Sequence, residues 1–266
     1  MSENILKVDN VSKDYSGFKA LENVSFSLDC GDIFGLLGRN GGGKTTLIKI
    51  LTSMIRDYYG DITFLGENLK NRDKLIFFKS NMAYLPDKDF LYPNLNPLQS
   101  IKFFADFFPD FSPDKAVEIL RQLNINTEQK IGQMSKGQAE KVAVALILAR
   151  NCKLYLFDEP LAGADVISRD DIFRIIKEHC KHGAAIIATH LISSVEPILN
   201  KVLFLNTKSM AYADITSILY GFNTLEDSFR YYAENLTIKP LKIMENIESK
   251  SNVVESKIDS NLESSA

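Results

Sequence analysis

The chain has 266 residues, enough for one large or two small domains, and its 45% hydrophobic and 24% charged residues suit a globular protein with ample core. A formal net charge of −3, with basic residues interspersed among acids, sets up no field for nucleic acid or an anionic membrane. The cysteines, Cys30, Cys152 and Cys180, are odd in number and not spaced as metal ligands, which points to a reducing cytosol.

Met1-Ser2-Glu3-Asn4 opens no signal-peptide pattern. Residues 5 to 11 alternate apolar and polar, as a half-buried strand does. Tyr15-Ser16-Gly17 marks a turn, and Leu21 to Leu28 reads as a second strand with Val24, Phe26 and Leu28 on one face. After the turn at Cys30-Gly31-Asp32 comes a buried strand, Ile33-Phe34-Gly35-Leu36-Leu37, then Gly38-Arg39-Asn40-Gly41-Gly42-Gly43-Lys44-Thr45-Thr46, then an apolar-periodic helix to Leu51. This fits the phosphate-binding pattern GxxxxGK[ST] in the strand-to-helix context it requires. Glycines let backbone N–H groups wrap a polyphosphate closely, and the helix start adds free N–H groups and its positive dipole end. Lys44 would charge-pair with the β- and γ-phosphates, and the Thr45 hydroxyl would hold Mg²⁺.

Ile62 to Leu65 predicts a short strand, grouped with the early ones in a small antiparallel sheet. Met82 to Pro86 predicts a buried strand stopped by proline. Prolines at 93, 97 and 109 and phenylalanines at 103, 104, 107, 108 and 111 then mark a change of character. Helices are expected over 100–108, over 112–124 with Ser112 as cap and Pro113 in the first turn, and from about Gly137 to Ala149, forming an inserted helical subdomain at about 88–150. Within the last helix, Val142 to Ala149 is the longest apolar run, far too short to span a bilayer; any spanning helices belong to another chain.

Leu154 to Phe157 predicts a buried strand ending in Asp158-Glu159-Pro160, where Asp158 is placed to bind Mg²⁺ and Glu159 to polarise a water facing the γ-phosphate. An amphipathic helix over 172–179, a buried strand over 184–188 ending at Thr189-His190, and a strand over 202–205 follow. Strands alternating with helices imply an α/β, mainly parallel sheet, with phosphate ligands at the carboxyl ends of its strands. That edge holds the lysine loop, Asp158-Glu159 and His190, the candidate γ-phosphate sensor. Residues 236–266 are rich in Ser, Asn, Glu and Lys and read as a largely disordered or weakly helical tail after a domain at 1–235.

Met134-Ser135-Lys136-Gly137-Gln138, opening a helix, forms a second anion-binding end that one chain cannot easily fold onto its own lysine loop. With the lysine loop before it and aspartate-glutamate-proline and histidine after it, this order and spacing resembles the nucleotide-binding subunit of an ABC transporter over residues 4 to 232. The resemblance implies a P-loop NTPase core of the RecA-like kind, with a small antiparallel β subdomain and an inserted α-helical subdomain. It implies ATP and Mg²⁺ as ligands, and a head-to-tail homodimer, or a pair with a related ATPase, closing on two ATP molecules. The partner would be a transmembrane permease at the cytoplasmic face of the cell membrane. By matching position, Tyr15 resembles the aromatic that stacks on adenine, Ser135, Gly137 and Gln138 the residues that close on the partner's nucleotide, and Asp165 the aspartate that bridges the two sites. The phenylalanine cluster falls where the family grips a short helix of its membrane partner.

The sequence departs from the family at four places. Lys136 replaces a glycine of the usual Ser-Gly-Gly-Gln. Asp87 stands where a glutamine usually touches the metal and the attacking water; it could reach Mg²⁺ with a shorter, charged arm. Ala162-Gly163-Ala164-Asp165 replaces Ser-Ala-Leu-Asp, and Gly42 adds a glycine that looks harmless. The chain looks most like bacterial exporters of antibiotics, lantibiotics and other peptides. A regulatory ABC subunit with little hydrolysis, and a soluble ABC ATPase acting apart from membranes, stand as alternatives.

Overall fold

The computed structural model describes residues 3–88, 90–160, 166–206 and 209–235. Asp165, the three residues before it and the 236–266 tail lie outside the described residues.

Strands β1 (Asn4–Tyr15) and β2 (Phe18–Asp29) form a hairpin turning at Ser16 and Gly17, both at positive φ. Both run longer than their alternation predicts. Asn10, at φ 51°, sits where the β1–β2 register shifts between Val8 and Val11, so the pattern breaks while the strand continues beyond it. Next come β3 (Ile33–Leu37), helix α1 (Lys44–Leu51), β4 (Tyr59–Phe64), β5 (Glu67–Asn68), α2 (Leu75–Ser80) and β6 (Met82–Leu85). The helical layer is α3 (Pro97–Phe107), α4 (Pro113–Gln122) and α5 (Lys136–Leu148). The chain returns through β7 (Leu154–Asp158), α6 (Val166–His179), β8 (Ala184–Thr189), α7 (Ile192–Val195), β9 (Lys201–Asn206), β10 (Ser209–Asp214), α8 (Ile215–Ile218) and α9 (Leu225–Asn235).

The described residues form two sheets. One is antiparallel, in the order β2-β1-β4-β5; the other runs β10-β9-β3-β8-β7-β6, parallel except for its β9–β10 edge. The parallel strands are buried on both faces, so their sequences are continuous apolar runs rather than alternating ones. In β8, Ala185 and Ile187 pack with the helical layer while Ala184, Ile186 and Ala188 pack with α1 and the antiparallel sheet. The two cores are thus the two sides of one sheet.

Local chemistry sets the helical layer. Asn96 and Gln99 form a reciprocal capping box at α3 with Pro97 in the first turn, and the Ser112 hydroxyl accepts from Lys115 N at α4. Arg150 ties this layer to the sheet edge. Its buried guanidinium grips both Asp110 oxygens at 3.0 Å, donates to the Met82 and Lys79 carbonyls, and lies 4.3 Å from the Phe108 ring centre. Among the described residues, no helix is long and apolar enough to cross a membrane.

Candidate active site

The parallel sheet brings three loops to one edge. Leu37 at the end of β3 pairs with Thr189 at the end of β8, and Ala188 pairs with Asp158 at the end of β7. The lysine loop, Asp158-Glu159 and Thr189-His190 therefore leave adjacent strands at the same level. The lysine loop and Asp158-Glu159 border a cleft of about 450 Å³ lined by Asn40 through Thr46, Asp87, Asp158 and Glu159, with Tyr15 and Phe18 from the hairpin tip at its far side. Tyr15 and Phe18 are cross-strand partners, which puts both rings on that side.

At Gly38, Gly42 and Gly43 the loop backbone has no room for a side chain. Gly43 lies at φ 102° with Ala20 O where a Cβ would stand, and a Cβ on Gly38 would collide with Leu205 O. Gly42 is closer packed than its sequence suggests, since a Cβ there would come within 2.8 Å of Leu205 O. Gly43 also caps α1 without any side-chain acceptor, so the N–H groups of the first turn carry no side-chain cap.

Lys44 is buried. Its ammonium donates to Gly38 O at 2.8 Å and Arg39 O at 3.3 Å, and stands 3.7 Å from Glu159 Oε1. Burial lowers its pKa, opposed by the charges of Glu159 and Asp158. Asp158 is only 2% exposed, and its pKa is pushed up to about 6, first by burial and then by the negative charges of Asp87 and Glu159. A hydrogen bond with the Thr45 side chain works against that rise, while Oδ1 has no hydrogen-bond partner among the described residues. A buried, orphaned carboxylate oxygen beside a threonine hydroxyl and two further carboxylates is an oxygen-donor set suited to a hard divalent cation. Among the described residues, no group of three or more His, Cys, Asp or Glu side chains is placed to hold a metal ion.

Glu159 sits at φ 51°, a left-handed backbone that glutamate rarely adopts, with its N–H bonded to Ala188 O at 2.8 Å. Its Oε2 accepts from Thr189 Oγ1 at 2.9 Å and meets His190 Nδ1 at 3.0 Å. Thr189 belongs to the site, although the sequence offered only its place at the end of a buried strand. Tyr84, on β6, also faces the carboxylates: burial and the charges of Asp158 and Asp87 push its phenol up to about 12.

Ser135, Gly137 and Gln138 do not line this cleft. They open α5 in a capping box, with Ser135 Oγ accepting from Gln138 N and Gln138 Oε1 accepting from Ser135 N. Lys136 borders a neighbouring cleft of about 390 Å³ shared with Asp87 and Glu159, its ammonium 4.0 Å from Glu140 Oε1. Farther out, Phe90, Tyr92, Phe103, Phe104, Phe107 and Phe108 line a third hollow of about 290 Å³. Phe104 and Phe111 are buried, whereas Phe107 is 65% exposed.

A glycine loop with a buried lysine, facing carboxylates at the ends of adjacent parallel strands, defines a P-loop nucleotide-hydrolysing fold. The family model for ABC transporters matches residues 21–162, more than half of the chain. The chain is 28% identical over 208 residues to the ABC transporter ATP-binding protein YtrB of Bacillus subtilis, covering 77% of this chain and 70% of that one. It is 31% identical over 207 residues to the SkfA peptide export ATP-binding protein SkfE of the same species, covering 76% and 85%. A solved ATP-binding subunit of an ABC transporter superimposes with a TM-score of 0.73 at 23% identity, covering 86% of this chain and 99% of that one. Other relatives include a phosphonates import ATP-binding protein of Treponema denticola, 25% identical over 233 residues and covering 81% and 91%. The chain belongs to the ABC transporter family: it is an ATP-binding ABC ATPase subunit that powers a transporter.

Proposed function

We propose that this subunit hydrolyses Mg²⁺-ATP in a head-to-tail dimer that drives export of a peptide, antibiotic or other drug through a transmembrane permease at the cytoplasmic face of the membrane. The observation that carries the hydrolytic part is the convergence of Asp87, Asp158 and Glu159 opposite Lys44 in one cleft beneath the glycine loop. The peptide-export relative favours export, as do the sequence departures at Asp87 and Lys136.

In this reading the residues divide the work. Tyr15 stacks on the base, and the N–H groups of Gly38 to Thr46 hold the phosphates. Lys44 leaves the Gly38 and Arg39 carbonyls for the β- and γ-oxygens. Thr45 and Asp158 would hold Mg²⁺, with Asp87 as a further candidate ligand; the bound ion would offset charge on the transferred phosphoryl group. Glu159 takes the proton of the attacking water and His190 contacts the γ-phosphate. Ser135, Gly137 and Gln138, outside their own chain's cleft, close on the nucleotide of the second subunit, a copy or a related ATPase, with Asp165 between the two sites. The aromatic hollow around Phe107 receives the permease.

The test is ATPase rate against protein concentration, beside Glu159→Gln. A rate rising faster than linearly, abolished by the substitution, with the variant trapped as an ATP-bound dimer on size exclusion, is expected. A variant that binds ATP and never dimerises would overturn the shared-site reading.

A further inference from the structure

Glu159 is held by more than its own strand. Its Oε2 is contacted by Thr189 Oγ1 at 2.9 Å, by His190 Nδ1 at 3.0 Å and by His190 N at 3.4 Å, while Oε1 faces Lys44. These partners are not equivalent. The His190 side chain is 44% exposed, whereas Thr189 is 1% exposed at the end of the central strand β8. The Thr189 hydroxyl accepts from Leu191 N at 3.1 Å, so its single proton is left for the carboxylate.

We propose that Thr189 is a positioning residue for hydrolysis: its hydroxyl pins Glu159 Oε2 and thereby aims Oε1 into the cleft. His190, with its side chain exposed, can turn toward a bound phosphate; Thr189, buried and paired with Leu37 of β3, stays. Glu159 needs such an anchor because its backbone is left-handed and the charge of the adjoining Asp158 repels it. The hydroxyl never touches substrate; it acts through the carboxylate it holds.

This inference rests on Glu159 acting as the base, so the experiment runs Thr189→Val, Thr189→Ser and Glu159→Gln side by side in the full chain. Valine keeps the branched shape and removes the hydroxyl; serine restores it. Thr189→Val should lower kcat for ATP by about 10- to 100-fold, the scale of a misplaced catalytic group. ATP affinity and KM should change less than about twofold, and Thr189→Ser should recover kcat to within about threefold. Adding Thr189→Val to Glu159→Gln should leave the residual rate unchanged. Should the valine variant not fold, Thr189→Ala against Thr189→Ser gives the same comparison. If Glu159→Gln abolishes turnover while Thr189→Val keeps kcat, or if serine fails to rescue, Thr189 has no positioning role. If Glu159→Gln itself turns over normally, the assignment of the base fails instead.

Discussion

Asp158 shows how burial at the active-site edge becomes a pH dependence. Its ordinary carboxyl value of 3.8 rises to about 6 in the fold, so the folded chain holds a proton the unfolded chain has already lost. That stabilisation is complete below about pH 4 and disappears as the pH climbs through 6, a change of up to about 3 kcal/mol by pH 7. Nucleotide-free wild type should therefore lose stability to urea between pH 5 and pH 7.5 relative to Asp158→Asn, which cannot ionise there. Parallel pH profiles for the two would show that the buried carboxylate carries its charge without penalty. The residues most legible in the sequence were of this kind. Asp158, Glu159 and His190 stand at strand ends and Lys44 opens the helix after a strand, and a buried parallel strand is plain from its apolar run. Thr189 was less legible, because a threonine ending a strand looks the same whether its hydroxyl faces solvent or a carboxylate.

Among the elements, the joint between the helical layer and the sheet depends on Arg150. Its guanidinium satisfies both oxygens of Asp110 and two backbone carbonyls, one of them at the start of β6, the strand that leads to Asp87. Arg150→Met should destabilise the chain by about 3 kcal/mol in urea unfolding, because Asp110 is left without its counter-charge. Arg150→Lys should rescue little, since an ammonium cannot reproduce the fork. A stability unchanged by either would mean that solvent replaces the pair freely. Nothing in the composition of this segment announces the joint, since its partners are 40 or more residues apart in sequence. The α6 helix was likewise under-read: residues 166–171 carry charge and no amphipathic period, yet the helix begins at Val166. The α9 helix and strand β10 lacked a pattern strong enough to separate them from loop.

For the whole molecule, the exposed ring of Phe107 and the part-buried Phe103 and Phe108 leave an aromatic hollow on the helical layer. If it receives the permease, Phe107→Asp should leave the ATPase rate of the isolated chain within about twofold of wild type. It should also abolish co-purification with a co-expressed permease subunit. Retained co-purification would place the contact elsewhere. Packing shows which of the five phenylalanines is core and which is surface: Phe104 makes tilted contacts with Phe90, Phe108 and Phe111, while Phe107 touches Phe103 and is largely exposed.

The left-handed backbone at Glu159 sets robustness against turnover. Holding a glutamate there costs on the order of 1 kcal/mol or more, and its repulsion with the adjoining Asp158 adds to that. Asparagine tolerates this conformation better and carries no charge. Glu159→Asn should thus melt a few degrees above wild type in the absence of nucleotide while hydrolysing almost nothing; a lower melting point would show that the Thr189 and His190 contacts outweigh the strain. A library of variants ranked by heat resistance alone would then drift toward inactive chains at this position. Selection for function is what keeps the less comfortable residue in place.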